Sequence, residues 1–594
     1  MKNIKYTLLF FAIAIISCKK NIDVTPQSNT YVTNYYSNYD EINVALTGCY
    51  SSLQNTLFNE WQLTELRSDN VIMGQASTKS TDNLLKSDLD EFLPSTSHPE
   101  IFNYWLASYN NIRNCNLVLN SLGVNYDPNN GSLSYDSITL PVTLAQRKKL
   151  ASEATFIRAY HYFNLIRLFG DPVLGANGGV FLVHEPISPE DAKSINRSSI
   201  DEIYKLIIAD LSNAANNGNQ LPFASIASTD LGRANAWAAK TLLAKVYLTL
   251  NRKSDAADLL QDIINYSGYS LQANYTNVFA TSNEMNSEML FAIRYKSGGV
   301  GLGSPFPNLF APLKSGSAIV NGDGSGFNYP AYELYDSMAY LKPKAFISKD
   351  SMFIVLKSTP SSAFPITVGL RVMGPQVAAG TTVTAVNGKT IYLSAPNLSK
   401  DSTGNALVTF YSDKRMEGNF GLYAPNGASS LAYYPKKHVS FVAFENDGEN
   451  DWPVLRYADV LLMLAEAKGY TPASIALMNQ TRSRAGLVAL STTLSLQQFE
   501  RALSKERRFE LAFENHRWFD LLRYNTTMST ITVEKTMQDH FALMYPGHYS
   551  KYPSPTTSLS DLQSFAKTNR MMLPIPQREI DNNTRISIPQ NSGY

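Results

Sequence analysis

Two stretches of the chain set aromatic rings beside planar hydrogen-bonding groups, a pairing suited to sugar recognition. The first holds Trp61, Arg67, Asp69 and Asn70. The second runs, glycine-rich, from Tyr295 to Tyr332 and carries Tyr295, Phe306, Phe310, Phe327 and Tyr329. A pyranose offers apolar C–H faces that lie against rings, while its hydroxyls need donors and acceptors of the kind that Arg, Asp and Asn supply. For any one of these residues packing is the commoner role, so the expectation concerns the two loops as gathered surfaces.

A different chemistry is written at the N-terminus. Lys2 and Lys5 precede an apolar run from Leu8 to Ile16, too short to span a bilayer and read as the core of a signal peptide. Ile15-Ile16-Ser17-Cys18 resembles a lipobox, so residues 1–17 are expected to be removed and Cys18 to be acylated as the first mature residue. Each buried methylene contributes about 0.8 kcal/mol, and several acyl chains hold a protein where one does not. Residues 18–30 are polar, carry Pro26 and read as a tether. No later stretch approaches the ~20 apolar residues of a membrane-crossing helix.

Composition narrows the function classes. With 51 basic and 50 acidic residues and no sustained Lys/Arg run, a nucleic-acid partner is not expected. The chain has no G-x-S-x-G elbow, H-E-x-x-H pair, Walker loop or dinucleotide fingerprint, and its 7 histidines show no paired helical spacing. No catalytic residue, metal or cofactor is therefore assigned. Asn321 to Gly326 places a glycine at position six of a calcium-loop template, but Tyr332 stands where the closing carboxylate belongs and Glu333 follows one residue late, so a surface turn is expected. Paired carboxylates for glycoside cleavage are a matter of distance in space, which leaves a lipid-anchored glycosidase open at this stage. Cys49 and Cys115 read as core thiols rather than a disulfide.

The elements that must position these residues are mostly helical. Thr143 is a plausible N-cap for a helix through Leu150, Ala154, Ile157, His161, Leu165 and Leu168, stopped by Gly170-Asp171-Pro172. Trp237 to Leu250 and Asp255 to Tyr266 fit one tetratricopeptide unit, with Leu243, Ala244, Ala256, Leu260 and Ile263 at its packing positions around Tyr247. Further pairs are predicted at 40–56 with 100–122, 146–169 with 199–216, and 455–482 with 498–524. Trp105, at helical spacing from Ile101, Tyr109 and Ile112, reads as core. From Ser351 to Tyr411 the pattern changes to β-branched alternation, with Asn387-Gly388 predicted to close a type I′ hairpin. The fold expected is mainly α, a tetratricopeptide-like repeat scaffold with long loops and a small β insertion at 351–411, between a region 31–340 and a region 412–594.

Several segments together resemble the SusD/RagB family: Ala45 to Tyr50, Glu153 to Ala159 with Phe169 to Pro172, Arg233 to Leu250, and Asp413-Lys414-Arg415. The resemblance continues in Leu455 to Leu462, Arg482 to Leu487, Glu506 to Leu511, Arg517 to Leu521, and Leu573 to Asp581 with Gln590 to Tyr594. It implies a non-enzymatic outer-membrane lipoprotein that captures a nutrient, an oligosaccharide or in some members a peptide, as the lid of a SusC-like TonB-dependent transporter. It also implies a shallow ligand site built from interhelical loops. The charges in its motifs, Glu506, Arg507, Arg508, Glu510 and Arg517, are read as ion pairs that orient helices. A tetratricopeptide scaffold lipoprotein is a third reading; it would share the repeats and anchor but not the Leu573 to Asp581 signature. The β insertion and the Lys19-Lys20 pair after Cys18 depart from the family pattern, so surface exposure rests on the resemblance.

Overall fold

The computed structural model describes residues 36–74, 81–423, 432–551, 557–567 and 570–594. The expected signal peptide, Cys18 and the tether lie outside them. Among the described residues no helix is long and apolar enough to cross a membrane.

Six helices are laid down as three consecutive pairs: α1 (Tyr39–Thr64) with α2 (Pro99–Ser121), α3 (Leu144–Phe169) with α4 (Ile200–Asn217), and α5 (Ala236–Thr249) with α6 (Lys253–Tyr266). Their starts are fixed chemically. Thr143 and Ser199 each close a capping box, with Gln146 and Glu202, and the side chains of Asn38 and Asn235 accept from backbone N–H groups of the first turns of α1 and α5. Each helix packs on the next in sequence, as in a solenoid, and Leu243, Ala244, Ala256, Leu260 and Ile263 are all buried. The tetratricopeptide-like scaffold expected from the sequence is the one observed.

The C-terminal half differs in detail from the expected pair. Gly469, at φ +65°, and Pro472 split the first long helix into α7 (Tyr457–Lys468) and α8 (Pro472–Arg484). Left-handed Phe513 and Asn515 separate α9 (Leu496–Glu510) from α10 (Arg517–Thr527). The superhelix continues across the join, because α6 packs on α7.

Strand β1 (Met289–Ile293) feeds the site region. The insertion begins ahead of Ser351, with β2 (Lys344–Ile347) followed by β3 (Phe353–Leu356), β4 (Val383–Asn387), β5 (Thr390–Leu393) and β6 (Asp401–Leu407) in the sheet order β6-β2-β3-β5-β4. One face buries Ile347, Ile354, Leu356, Ile391 and Leu393 in a core of the insertion's own. The hairpin is one residue out of the expected phase: Asn387 pairs with Thr390, and of the residues at the turn only Gly388 has positive φ. A type I′ turn needs two such residues; one, at the first central position, fits type II′. Strand β7 (Trp452–Arg456) then pairs with β1 and leads into α7.

Beneath these elements lies a buried lattice of ions. Glu510 faces Arg415 at 3.4 Å and Arg456 at 3.3 Å and also pairs with Arg484, while Arg507 bridges Asp459 and Asp520, each at 2.8 Å. Burial alone would raise the carboxyl of Glu510, but Arg484, Arg456 and Arg415 hold it down at about 2; Glu514 is held at about 2 against its burial by Arg456 and Lys437. A depressed folded-state pKa contributes stability above the ordinary carboxylate value and loses it as pH falls through the folded value. The thermal midpoint should therefore drop steeply between about pH 4 and pH 2, and a scan that stays flat over that interval contradicts the lattice. Glu65 and Glu91, pushed up to about 8 by burial, act in the opposite sense and cost stability as pH rises from about 4 to 8.

Candidate functional site

The structure joins the two sequence stretches directly. Val71 pairs with Pro330 and Ile72 with Tyr329 in a short antiparallel ladder, and the Ala331 N–H donates to the Asn70 carbonyl at 2.8 Å. Gly74 makes the approach close. A Cβ there would lie 2.1 Å from the Gly326 carbonyl oxygen and 2.6 Å from the Tyr329 ring, so a larger residue would force both the Gly326 backbone and the ring to shift.

Six of the eight residues expected to touch ligand are in the interior. α1 runs on to Thr64, so Trp61 lies in its last turns, 1% exposed, edge-on to Phe310 at 5.0 Å. Phe306 tilts on Phe310 at 5.3 Å and meets Tyr295 edge-on at 6.1 Å, which makes one packed aromatic row. Arg67 is sandwiched between Phe92 and Trp518, donates to the carbonyls of Arg570 and Met571, and is lowered to about 10 by burial. Asp69 accepts from Arg517 at 2.6 and 2.9 Å; burial works to raise its carboxyl, but Arg508 and Arg517 hold it far below the usual range. Asn70 is bound by Arg508 at 3.1 Å. These side chains are spent on protein partners and stand behind the surface as its foundation. Direct ligand contact is the part of the expectation that their burial does not allow in this conformation.

Phe327 and Tyr329 are the two that reach the surface, each half-buried. The Lys86 ammonium lies 4.7 Å from the Phe327 ring. Burial pushes the Tyr329 phenol up, and a hydrogen bond from the Leu313 backbone partly offsets this. Arg508 fixes the base on which both rings stand. It reaches Asn70 just before one strand of the ladder and Glu333, at 2.7 Å, just after the other, and so clasps the two stretches. Glu333, the late carboxylate of the calcium-loop template, is thus engaged with Arg508 and with His540 at 3.2 Å, while Asp323 caps its own turn at Gly324.

Sequence reading missed the neighbouring aromatics. Phe441 and Phe444 are 67% and 59% exposed on the loop that covers residues 308–324, where Asn446 N–H donates to Asn308 and Asn321 donates to the Ala443 carbonyl. Their signal was a Phe441-Val442-Ala443-Phe444 run outside any helical or strand period, of which only Val442 turns inward. Tyr423 also holds the 308–324 segment, donating to the Lys314 carbonyl at 3.1 Å. Phe327, Tyr329, Phe441 and Phe444 thus all leave ring surface uncovered around residues 308–329. The nearby carboxylates Asp447 and Glu449 are occupied in accepting from the backbone N–H groups of Gly298, Gly299 and Ser297.

Comparison with known proteins gives two family matches, "SusD family" over residues 408–594 and "Starch-binding associating with outer membrane" over residues 20–248. The chain is 25% identical to "SusD-like protein P25" of Formosa agariphila across 100% of this chain and 99% of that one. It is 30% identical to a "SusD-like protein" of Bacteroides ovatus across 36% of this chain and 39% of that one. Among solved structures, a "Laminarin binding SusD-like protein" aligns with TM-score 0.63 at 22% identity, covering 94% of this chain and 100% of that one. "Surface glycan-binding protein A from Bacteroides thetaiotaomicron in complex with laminarihexaose" aligns with TM-score 0.62 at 17% identity, covering 93% and 99%.

Proposed function

Because the chain belongs to the SusD/RagB family, we propose that it is a lipid-anchored outer-membrane protein that captures a neutral oligosaccharide and passes it unaltered to a SusC-like TonB-dependent transporter. The observation that carries this reading is the ring surface itself. Phe327 and Tyr329 are presented partly exposed on an ion-paired base, in a fold shared with a protein named for binding laminarin and one solved in complex with laminarihexaose. Stacking on rings is tolerant of the sugar's identity, and a shallow surface gives weak binding, with dissociation constants in the micromolar to millimolar range, about −4 to −8 kcal/mol.

The enzymatic alternative is disfavoured by the match along the chain to a binding-protein family, and beside the rings Asp447 and Glu449 are committed to backbone N–H groups. A repeat scaffold without cargo leaves the C-terminal signature unexplained. There the Leu573 N–H donates to the Leu168 carbonyl at 2.7 Å, and Asn591 and Gln590 hold the segment in place. A neutral-glycan array followed by chromatography of the best hit tests the reading: recovery of intact sugar supports it, and shortened products transfer the protein to the glycosidases.

Attachment is tested separately. Cys18→Ala protein should leave the membrane fraction entirely and remain folded in the soluble fraction, since the acyl chains are the only anchor this reading provides. Retention in the outer-membrane fraction after a high-salt wash refutes the single-anchor assignment.

A further inference from the structure

A second concave surface lies away from the Tyr329 ladder and shares no residue with it. It is a cleft of about 600 Å³ between α2, the segment around Phe181 to Ile195, and the short helix Gln577–Asn582 near the C-terminus. That volume is ordinary for a small-ligand site. Its wall shows two partly exposed rings, Tyr109 and Phe181, 6.0 Å apart, backed by Trp105, which is 2% exposed and lies tilted on Tyr109 at 4.9 Å and edge-on to Phe181 at 5.4 Å. Beside them Leu106 is 43% exposed on the same lining.

One polar group in this wall has no partner among the described residues. Asn583, 9% exposed, donates its amide to the Ile195 carbonyl at 3.2 Å, yet its amide oxygen is buried without a partner. An unmade hydrogen bond of this kind costs about 1–3 kcal/mol. The group is an acceptor, and a hydroxyl is a neutral function that donates to it. The charges at the rim balance, Arg113 and Lys193 against Glu185 and Glu579, so neither an anion nor a cation is selected. The exposed amides of Asn110 and Asn582 add planar donors and acceptors around the rings.

We infer that this cleft is a second binding site for a short neutral oligosaccharide, its C–H faces against the Tyr109 and Phe181 rings, which Trp105 backs from the core, and a hydroxyl on the Asn583 oxygen. The inference rests on the glycan-binding reading given above. It differs from that reading in placing a separate site on the helical repeats.

Hydrogen exchange of the mature protein, with laminarihexaose and maltohexaose in turn at saturating concentration, separates the two. Slowed exchange is expected in residues 181–195 and 577–584, in the wild type and equally in Tyr329→Ala. The double variant Arg113→Ala/Asn582→Ala changes only exposed side chains and keeps the fold. It should weaken that protection by about tenfold in sugar concentration while sparing residues 326–330. Protection confined to the Tyr329 region, or cleft protection indifferent to the double variant, overturns the second site and leaves the first standing. Protection nowhere with either sugar overturns both.

Discussion

Replacing Glu510 by Gln is expected to cost about 3–5 kcal/mol, a large share of the stability of a folded domain, and to lower the thermal midpoint by many degrees. Glu510 is fully buried and is shared by Arg415, Arg456 and Arg484, with the Lys437 ammonium bound to its own backbone carbonyl at 3.1 Å. The amide keeps the volume and removes the charge, so three guanidinium groups lose an anion with no water to replace it. The lattice also joins distant parts of the chain, since Arg456 and Arg484 both hold Glu288, just ahead of β1, at 2.6 Å. Circular dichroism melts of the two proteins at neutral pH measure the effect. A midpoint within a few degrees of wild type shows that the lattice is not what secures the C-terminal half.

Trp61→Ala and Tyr329→Ala should separate stability from binding. Trp61 is enclosed against Phe310 in the aromatic row, and removing a buried indole costs about 3–5 kcal/mol through lost contacts and the cavity left behind. Tyr329 is partly exposed, so its truncation should cost less, about 1–2 kcal/mol of stability, while weakening glycan binding about tenfold. Where the Trp61→Ala protein is still folded, at low temperature, it should bind sugar with an affinity close to wild type. A Trp61→Ala protein of normal stability and lost affinity would return Trp61 to the ligand surface.

The repeat scaffold was legible in the sequence because helix periodicity and capping are local: Thr143 and Gln146 make their capping box within one turn of α3, and the α5–α6 unit shows its packing positions in a single window. The roles of Glu506, Arg507, Arg508, Glu510 and Arg517 were legible by residue type, since charges at helix-facing positions must be paired when buried. Their partners were not. Arg517 finds Asp69 across 448 residues of chain, a pairing that no local spacing encodes. The same long reach hid the function of the first loop. Trp61 and Arg67 have the chemistry of ligand contacts, but α1 extends past the predicted end at residue 56 and carries Trp61 into the core. Phe441 and Phe444 escaped for the opposite reason, because nothing in an irregular apolar run tells which of its residues tertiary contacts will leave outside.

The account stands most directly on one calorimetric titration of laminarihexaose into the mature protein, run beside Tyr329→Ala. It predicts saturable binding in the micromolar to millimolar range, weakened about tenfold by the substitution. Wild type and variant titrating alike, or neither releasing heat while the array finds no neutral glycan, would contradict it.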